Sequence, residues 1–504
     1  MKSKTDLYQL IKAMSKSEKR YFTLDAQKSG RKDARYLELF QAINDMESYD
    51  EAPLKAHFGK TLPTDKAYLY EAILRSMRDY RSANSYAARI KEMIMDAKYL
   101  YERGLYEQSE ERLNTAKELA EELGDQLSIL ELNKEHRRLL KDTRRPGYEK
   151  ELQDLIIEKQ NNLNKLEEEL TYLDIHDELL LEIRQHRQGL MGIQKEDLKA
   201  RYQHLDDITI QEPSTIQSKL RFYQCMALFH QLLNEHSEVY NNYTKLINCW
   251  DTSPKYKTEE FYRYVLDMSN LIHILLSDNS KASEINYLLS KLEKERPANL
   301  HDQSILFQRV TSFRILYSIN TGDFADVQTL VKRIEKGLKQ YDISSSTELS
   351  ITFNISILLF MAAQFSLCQD WIERIIQPRK IMIRQDIQTA GKILYLLATY
   401  ELGEFEATET CLRNTTRYLQ KLDQKENDFY INVLSSIRKL HQGTVKSIQI
   451  MNQLKEYIIT LRNKKVNIPL GLDELVLFWL DGKLSKRSIS EIIKSNLRKN
   501  NVTS

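Results

Sequence analysis

A break recurs along this chain at a nearly constant interval, and few folds accommodate such a period. Gly104-Leu105-Tyr106-Glu107 separates two stretches of helix-forming residues. Gly322-Asp323-Phe324 and Gly403-Glu404-Phe405 repeat the pattern, and Ala363-Gln364-Phe365 fits it with Ala in place of Gly. With the period known, looser members fall into place at Gly147-Tyr148, Gly192-Ile193, Asn234-Glu235, Asn279-Ser280 and Gly443-Thr444. The steps between successive breaks are 43, 45, 42, 45, 43, 41, 40 and 40 residues. A period near 40 residues means stacked helical hairpins. Each break then reads as a short helix–helix turn in which Gly or Asn takes the left-handed conformation. The aromatic two positions later is expected to start the second helix and pack back on the first, while small residues let the two helices approach closely.

Composition agrees. Sheet proteins need frequent Gly and Pro at their turns, and 14 Gly and 8 Pro in 504 residues are too few. Leu, Glu, Lys, Gln and Ala fill most windows and favour helix. With 41% apolar and 29% charged residues the chain can fold and remain soluble. A solenoid can use the whole length because its core grows along one axis.

The turn residues and the small positions around them resemble the tetratricopeptide repeat. The clearest copy, residues 93–123, has Ala97 at the small position of its first helix, Gly104 and Tyr106 at the turn, and Ser109, Leu113 and Ala116 on its second helix. A second copy carries Ala398, Tyr400, Gly403, Phe405, Ala407, Leu412 and Thr415, and a third Gly322, Phe324, Val327, Val331 and Ile334. The family period is about 34 residues; the longer steps here imply longer helices or connections. The resemblance spans roughly residues 88–440. It implies an all-α fold, a right-handed superhelix or α-solenoid of helical hairpins that binds a peptide or protein on its concave face. The expected organisation is an N-terminal helical bundle over 1–84, the repeat array over 85–443, and a C-terminal cap with a basic tail over 444–504.

The first 84 residues read as five short helices. Ser15-Lys16-Ser17-Glu18 is a capping box that should start a helix running to about Lys28. A helix over 51–58, the Gly59-containing turn and a helix over 64–80 together have the shape of a helix-turn-helix. That places Lys66, Arg75 and Arg78 on or near the exposed side of the second helix as candidate nucleic-acid contacts. The competing reading is a capping bundle over the first repeat. Nine Lys or Arg stand against Asp6, Glu18 and Asp25 in the first 32 residues, which suits an anionic partner or a solvated face equally. Further on, Leu163, Leu166, Leu170, Leu173 and Leu180 approach heptad spacing. Two long helices broken near Asn161-Asn162 are preferred to a dimer seam. Near the C-terminus the apolar run 475–480 suits an end cap, or else an exposed Phe478-Trp479 patch for a partner.

The sequence offers no catalytic, cofactor-binding or metal-binding residue. None of the ten His pairs with another at the helical spacing a metal needs. His176, beside Asp174, Asp177 and Glu178, is the nearest approach to a cluster and reads as a solvated group. Phosphate-binding glycine loops and a nucleophile elbow are missing. Cys225, Cys249, Cys368 and Cys411 are scattered, as suits thiols in a reducing cytoplasm. The polar N-terminus does not resemble a signal peptide, and no window has the apolar length of a membrane span. A net charge of +2 implies neither nucleic acid nor membrane. Tyrosines are amphipathic contact residues. Tyr99 and Tyr101 are therefore candidate partner contacts, beside Phe478 and Trp479. The expectation is a cytoplasmic, non-catalytic scaffold or adaptor without cofactor. The alternatives are a regulator whose basic N-terminal bundle binds DNA or a transcription component, and an enzyme with an unrecognised site.

Overall fold

A computed structural model of the chain describes residues 5–28, 35–143, 145–186, 190, 192–203, 205, 213–376, 384–421, 428–443, 446–464, 466 and 468–503. These residues are helical throughout and contain no strand. By contact they form two compact units, Met1–Leu271 with Arg296–Gln303, and Ile272–Glu295 with Ser304–Ser504.

The first unit opens with α1 (Asp6–Ala13), α2 (Lys16–Lys28), α3 (Arg35–Asp45), α4 (Glu51–Phe58) and α5 (Leu62–Ser82). Phe22, Leu39, Phe40, Ile43, Leu54, Leu69 and Ile73 are the centre of their core. The capping box forms: the Ser15 amide donates to Glu18 Oε2 at 2.6 Å, and the Glu18 amide to Ser15 Oγ at 3.2 Å. The unit continues through α6 (Tyr86–Glu102), α7 (Tyr106–Leu123), α8 (Gln126–Thr143), α9 (Tyr148–Gln185), α10 (Ile193–Arg201), α11 (Ile216–Leu233), α12 (His236–Asp251), α13 (Pro254–Glu259) and α14 (Phe261–Leu275).

In the second unit lie α15 (Ala282–Lys294), most of α16 (Leu300–Thr321), α17 (Val327–Gln340), α18 (Ser345–Met361), α19 (Phe365–Ile376), α20 (Gln385–Glu401), α21 (Phe405–Leu419), α22 (Asp428–His441), α23 (Ser447–Asn463), α24 (Leu472–Ser485) and α25 (Ile489–Thr503). The division falls inside α14 and α16. The most apolar stretch of the sequence becomes α18, whose Leu349, Ile351, Phe353, Ile355, Leu358 and Phe360 are buried on all sides. A helix apolar all round belongs in a core. Among the described residues no helix is long and apolar enough to cross a membrane.

The recurring breaks are where the helices end. Gly104, Gly147, Gly192, Asn234, Gly322, Ala363, Gly403 and Gly443 all have positive φ, between 54° and 88°. Asn279 instead opens a 3-10 turn behind Asp278, which accepts from the Ser280 amide at 2.9 Å. Close helix contact is visible seven residues before and five after a break. Ser109 Oγ donates to the Ala97 carbonyl at 2.8 Å, and Cys368 Sγ to the Ser356 carbonyl at 3.2 Å, in the same register about Gly104 and Ala363. The aromatic follows its expected role in part. Tyr106 and Phe365 start α7 and α19 and lie 5.5 Å from Tyr101 and 5.3 Å from Phe360. Phe405 starts α21 but stacks on His441 at 3.9 Å, and α17 begins at Val327, three residues after Phe324.

The expected break in the long helix is absent. No break occurs at Asn161-Asn162: α9 runs 38 residues unbroken. Its first half packs against α8, where Asn133 Nδ2 donates to the Leu155 carbonyl at 2.8 Å. Its second half packs on α11, where Cys225 Sγ donates to the Tyr172 carbonyl at 3.3 Å. One helix thus serves two neighbours, and nothing between 148 and 185 breaks it, since the segment has no Gly or Pro.

Candidate functional site

In the first unit, α9, α11, α12, α13 and α14 converge on a buried carboxylate, and charged side chains gather around it. Asp267, on α14, is 3% exposed. Trp250 Nε1 donates to its Oδ2 at 2.8 Å and Gln224 Nε2 to its Oδ1 at 2.7 Å. Burial pushes its carboxyl up to about 6, against the pull of these two hydrogen bonds. The amide of Gln224 is thereby fixed with its oxygen outward, and Arg221 Nη1 donates to that oxygen at 3.0 Å. Arg263 lies one turn before Asp267. Its Nη1 donates to the Tyr256 hydroxyl at 3.0 Å and sits 3.8 Å from Glu260. Tyr256 stacks on Trp250 with ring centres 5.5 Å apart. The other terminal nitrogen of Arg263, Nη2, is buried and meets no acceptor among the described residues.

The electrostatics show that these groups feel one another. Arg221 is held below its ordinary range, first by burial and then by the charge of Arg263. His176, on α9, is pushed down by burial, then by Arg221, with Asp177 opposing and Arg263 adding a little. Two guanidiniums and a histidine that favours its neutral form therefore share one half-desolvated place. The nearby carboxylate of Asp267 already has both oxygens engaged. Like charges held together away from water repel, and an anion between them relieves the repulsion. Guanidiniums suit a planar oxyanion, because their N–H groups form a fork that matches two oxygens. Close by on α9, Glu169 accepts from Thr215 Oγ1 at 2.7 Å, and burial lifts its carboxyl to about 7.

The residues expected from sequence are dispersed. Tyr99 is 58% exposed, with Arg103 5.1 Å over its ring. Tyr101 donates to Asp142 and carries Arg138 4.2 Å over its ring. Trp479 does not form an exposed patch: with Leu472, Leu475, Val476 and Leu480 it makes the inner face of α24, and its Nε1 donates to Glu401 Oε1 at 2.7 Å. Phe478 is half-buried against the same core. Arg75 and Arg78 are exposed on α5, but Lys66 is not, because it shares the inward face with Leu62, Leu69 and Ile73. Its ammonium is held 3.0 Å from Glu51 and donates to Tyr49, so it is no nucleic-acid contact. His176 is not solvated either, with its side chain only 16% exposed.

Arg221 and Arg263 were not singled out in the sequence, yet a signal exists. Each is the one arginine of its helix and stands among aromatic and aliphatic residues, in KLRFYQCMALF and FYRYVLDM. His176, Arg221 and Arg263 also follow one another at 45 and 42 residues, within the range of spacings between the recurring breaks. Among the described residues no group of three or more His, Cys, Asp or Glu is arranged to hold a metal ion. No protein-family model, curated protein or solved structure matches the chain.

Proposed function

We propose that this protein is a non-catalytic interaction scaffold, a tetratricopeptide-like superhelix in the cytoplasm that holds a carboxylate-bearing segment of a partner protein. The observation that carries this reading is the pair of guanidiniums, Arg221 and Arg263, one repeat period apart, with Arg263 Nη2 buried and lacking an acceptor. Helical hairpins that turn at the periodic breaks support the repeat reading. The buried thiols of Cys225 and Cys368 suit a reducing compartment. The carboxylate would come from the partner's C-terminus or from an acidic side chain. Asp267 acts indirectly, by orienting Gln224 and through it Arg221. The rival reading, a DNA-binding N-terminal bundle, loses Lys66, one of the three contacts it names.

The test is affinity capture from native extract with the full chain and with an Arg221→Gln/Arg263→Gln variant, which removes the two charges and keeps polar side chains. A protein retained by the first and lost by the second, at equal thermal stability of the two baits, is the expected result. Equal retention by both baits removes the two arginines from the interface and the proposal with them.

A further inference from the structure

A charged surface lies on the first unit, between α8 and α9, and has no part in the Arg221–Arg263 cluster. Lys134, Arg137, Arg138 and Lys141 occupy positions i, i+3, i+4 and i+7 of α8, so they share one face. Together with Lys159 of α9 they border a groove of about 490 Å³. Asp142 is the one carboxylate on its lining, and it accepts from Tyr101. Arg138 is 3.9 Å from Glu135 and lies over the Tyr101 ring. Lys134, Arg137, Lys141 and Lys159 make no ion pair among the described residues. Helix surfaces ordinarily intersperse the two signs of charge, and four unpaired cations on one groove do not follow that pattern.

The floor of the groove is apolar. Leu130 and Leu163 line it. Leu163 belongs to a longer stripe, because Ile156, Leu163 and Leu170 are seven residues apart on α9 and are 42%, 39% and 51% exposed. Seven residues are two helical turns, so the three side chains stand in a row of about 20 Å. Exposed large apolar residues in a row, rimmed by charge, mark an interaction surface. A phosphodiester backbone would satisfy the cations but leave the row uncovered. A helix with an apolar ridge and an acidic flank matches both features at once.

We infer that the α8–α9 groove docks an amphipathic, acidic helix of a partner protein, its apolar ridge on Ile156, Leu163 and Leu170 and its carboxylates on Lys134, Arg137, Lys141 and Lys159. This dock uses neither Arg221 nor Arg263, so it stands or falls separately from the scaffold reading above.

The experiment is fluorescence anisotropy on the full chain with a labelled synthetic helix of about 20 residues, leucine along one face and glutamate along the flanks. Controls are a scrambled peptide of the same composition and single-stranded and duplex oligonucleotides of similar length. The amphipathic peptide is expected to bind at least about tenfold tighter than the scrambled one and than either oligonucleotide. Arg137→Glu/Lys141→Glu and, separately, Leu163→Ser are each expected to weaken binding about tenfold or more, with unchanged thermal midpoints. Lys134→Glu/Lys141→Glu replaces the first variant if that one loses stability. Failure of the amphipathic peptide to bind, equal binding of the scrambled peptide, tighter binding of an oligonucleotide or indifference to Leu163 would overturn the inference. So would self-association of the chain through the same row, seen by sedimentation and abolished by Leu163→Ser.

Discussion

Ala363 takes the left-handed conformation, with φ at 56°, at a turn where three counterparts in the clear breaks use glycine. An L-residue in that conformation carries about 1–2 kcal/mol of strain. Glycine removes the strain but gives the unfolded chain more freedom, which costs about 0.4–1 kcal/mol. The first effect is the larger, so Ala363→Gly is expected to stabilise the protein by about 0.5–1 kcal/mol. Gly403→Ala, at φ 73° with open space around the added carbon, is expected to destabilise it by a similar amount. Denaturation midpoints of the two variants check both signs. Glu169 supplies a second residue-scale prediction. Burial raises its folded carboxyl from the ordinary 4.5 to about 7, so the folded state binds the proton more tightly than the unfolded one. Stability conferred by the protonated form is complete below about 4.5 and is lost as pH rises through about 7. Glu169→Gln keeps the acceptor for Thr215 and should flatten this slope, by up to about 3 kcal/mol between pH 5 and 8. A variant whose stability falls across that interval as steeply as the parent's would show that Glu169 is not the titrating group.

At the scale of elements, the helix ends at the recurring breaks were legible because they are set by local chemistry. The turn glycines, Asn234 and the Ser15–Glu18 capping box each act within a few residues of the chain. What sequence spacing did not reveal depended on tertiary packing. The continuity of α9 past Asn161 follows from having α8 beside one half and α11 beside the other. The inward face of α5 accepts Lys66 because Glu51 and Tyr49, from other parts of the bundle, receive its ammonium. Gly337 shows how packing overrides propensity. It lies inside α17, where alanine would gain about 1 kcal/mol of helix propensity. An added Cβ would stand 2.1 Å from two ring carbons of Phe307 on α16. Overpacking of that kind costs about 1–3 kcal/mol. Gly337→Ala is therefore expected to destabilise the protein, and in a Phe307→Leu background to stabilise it. A double-mutant cycle measured by chemical denaturation gives both signs, and the same sign in both backgrounds would count against the contact.

Across the whole molecule, the proposed function rests on residues that no motif announced. Sequence spacing carries the recurring breaks, and His176, Arg221 and Arg263 follow one another at the similar intervals of 45 and 42 residues. What spacing does not carry is the burial of Asp267, the fixed amide of Gln224 and the unsatisfied nitrogen of Arg263, which exist only once five helices meet. The tyrosines favoured for contact, Tyr99 and Tyr101, lie on α6, away from this junction in the sequence and in its bonding. The most direct test of the scaffold reading is calorimetric titration of the full chain with a peptide selected from a random library for binding to it. The peptide would be made with free and with amidated carboxyl groups and titrated against the parent and the Arg221→Gln/Arg263→Gln variant. Loss of one carboxylate at a paired guanidinium is expected to weaken binding about tenfold or more, and the double variant should no longer distinguish the two peptides. Equal affinity of the acid and the amide for the parent chain would contradict the assignment of the guanidinium pair as the carboxylate-holding site.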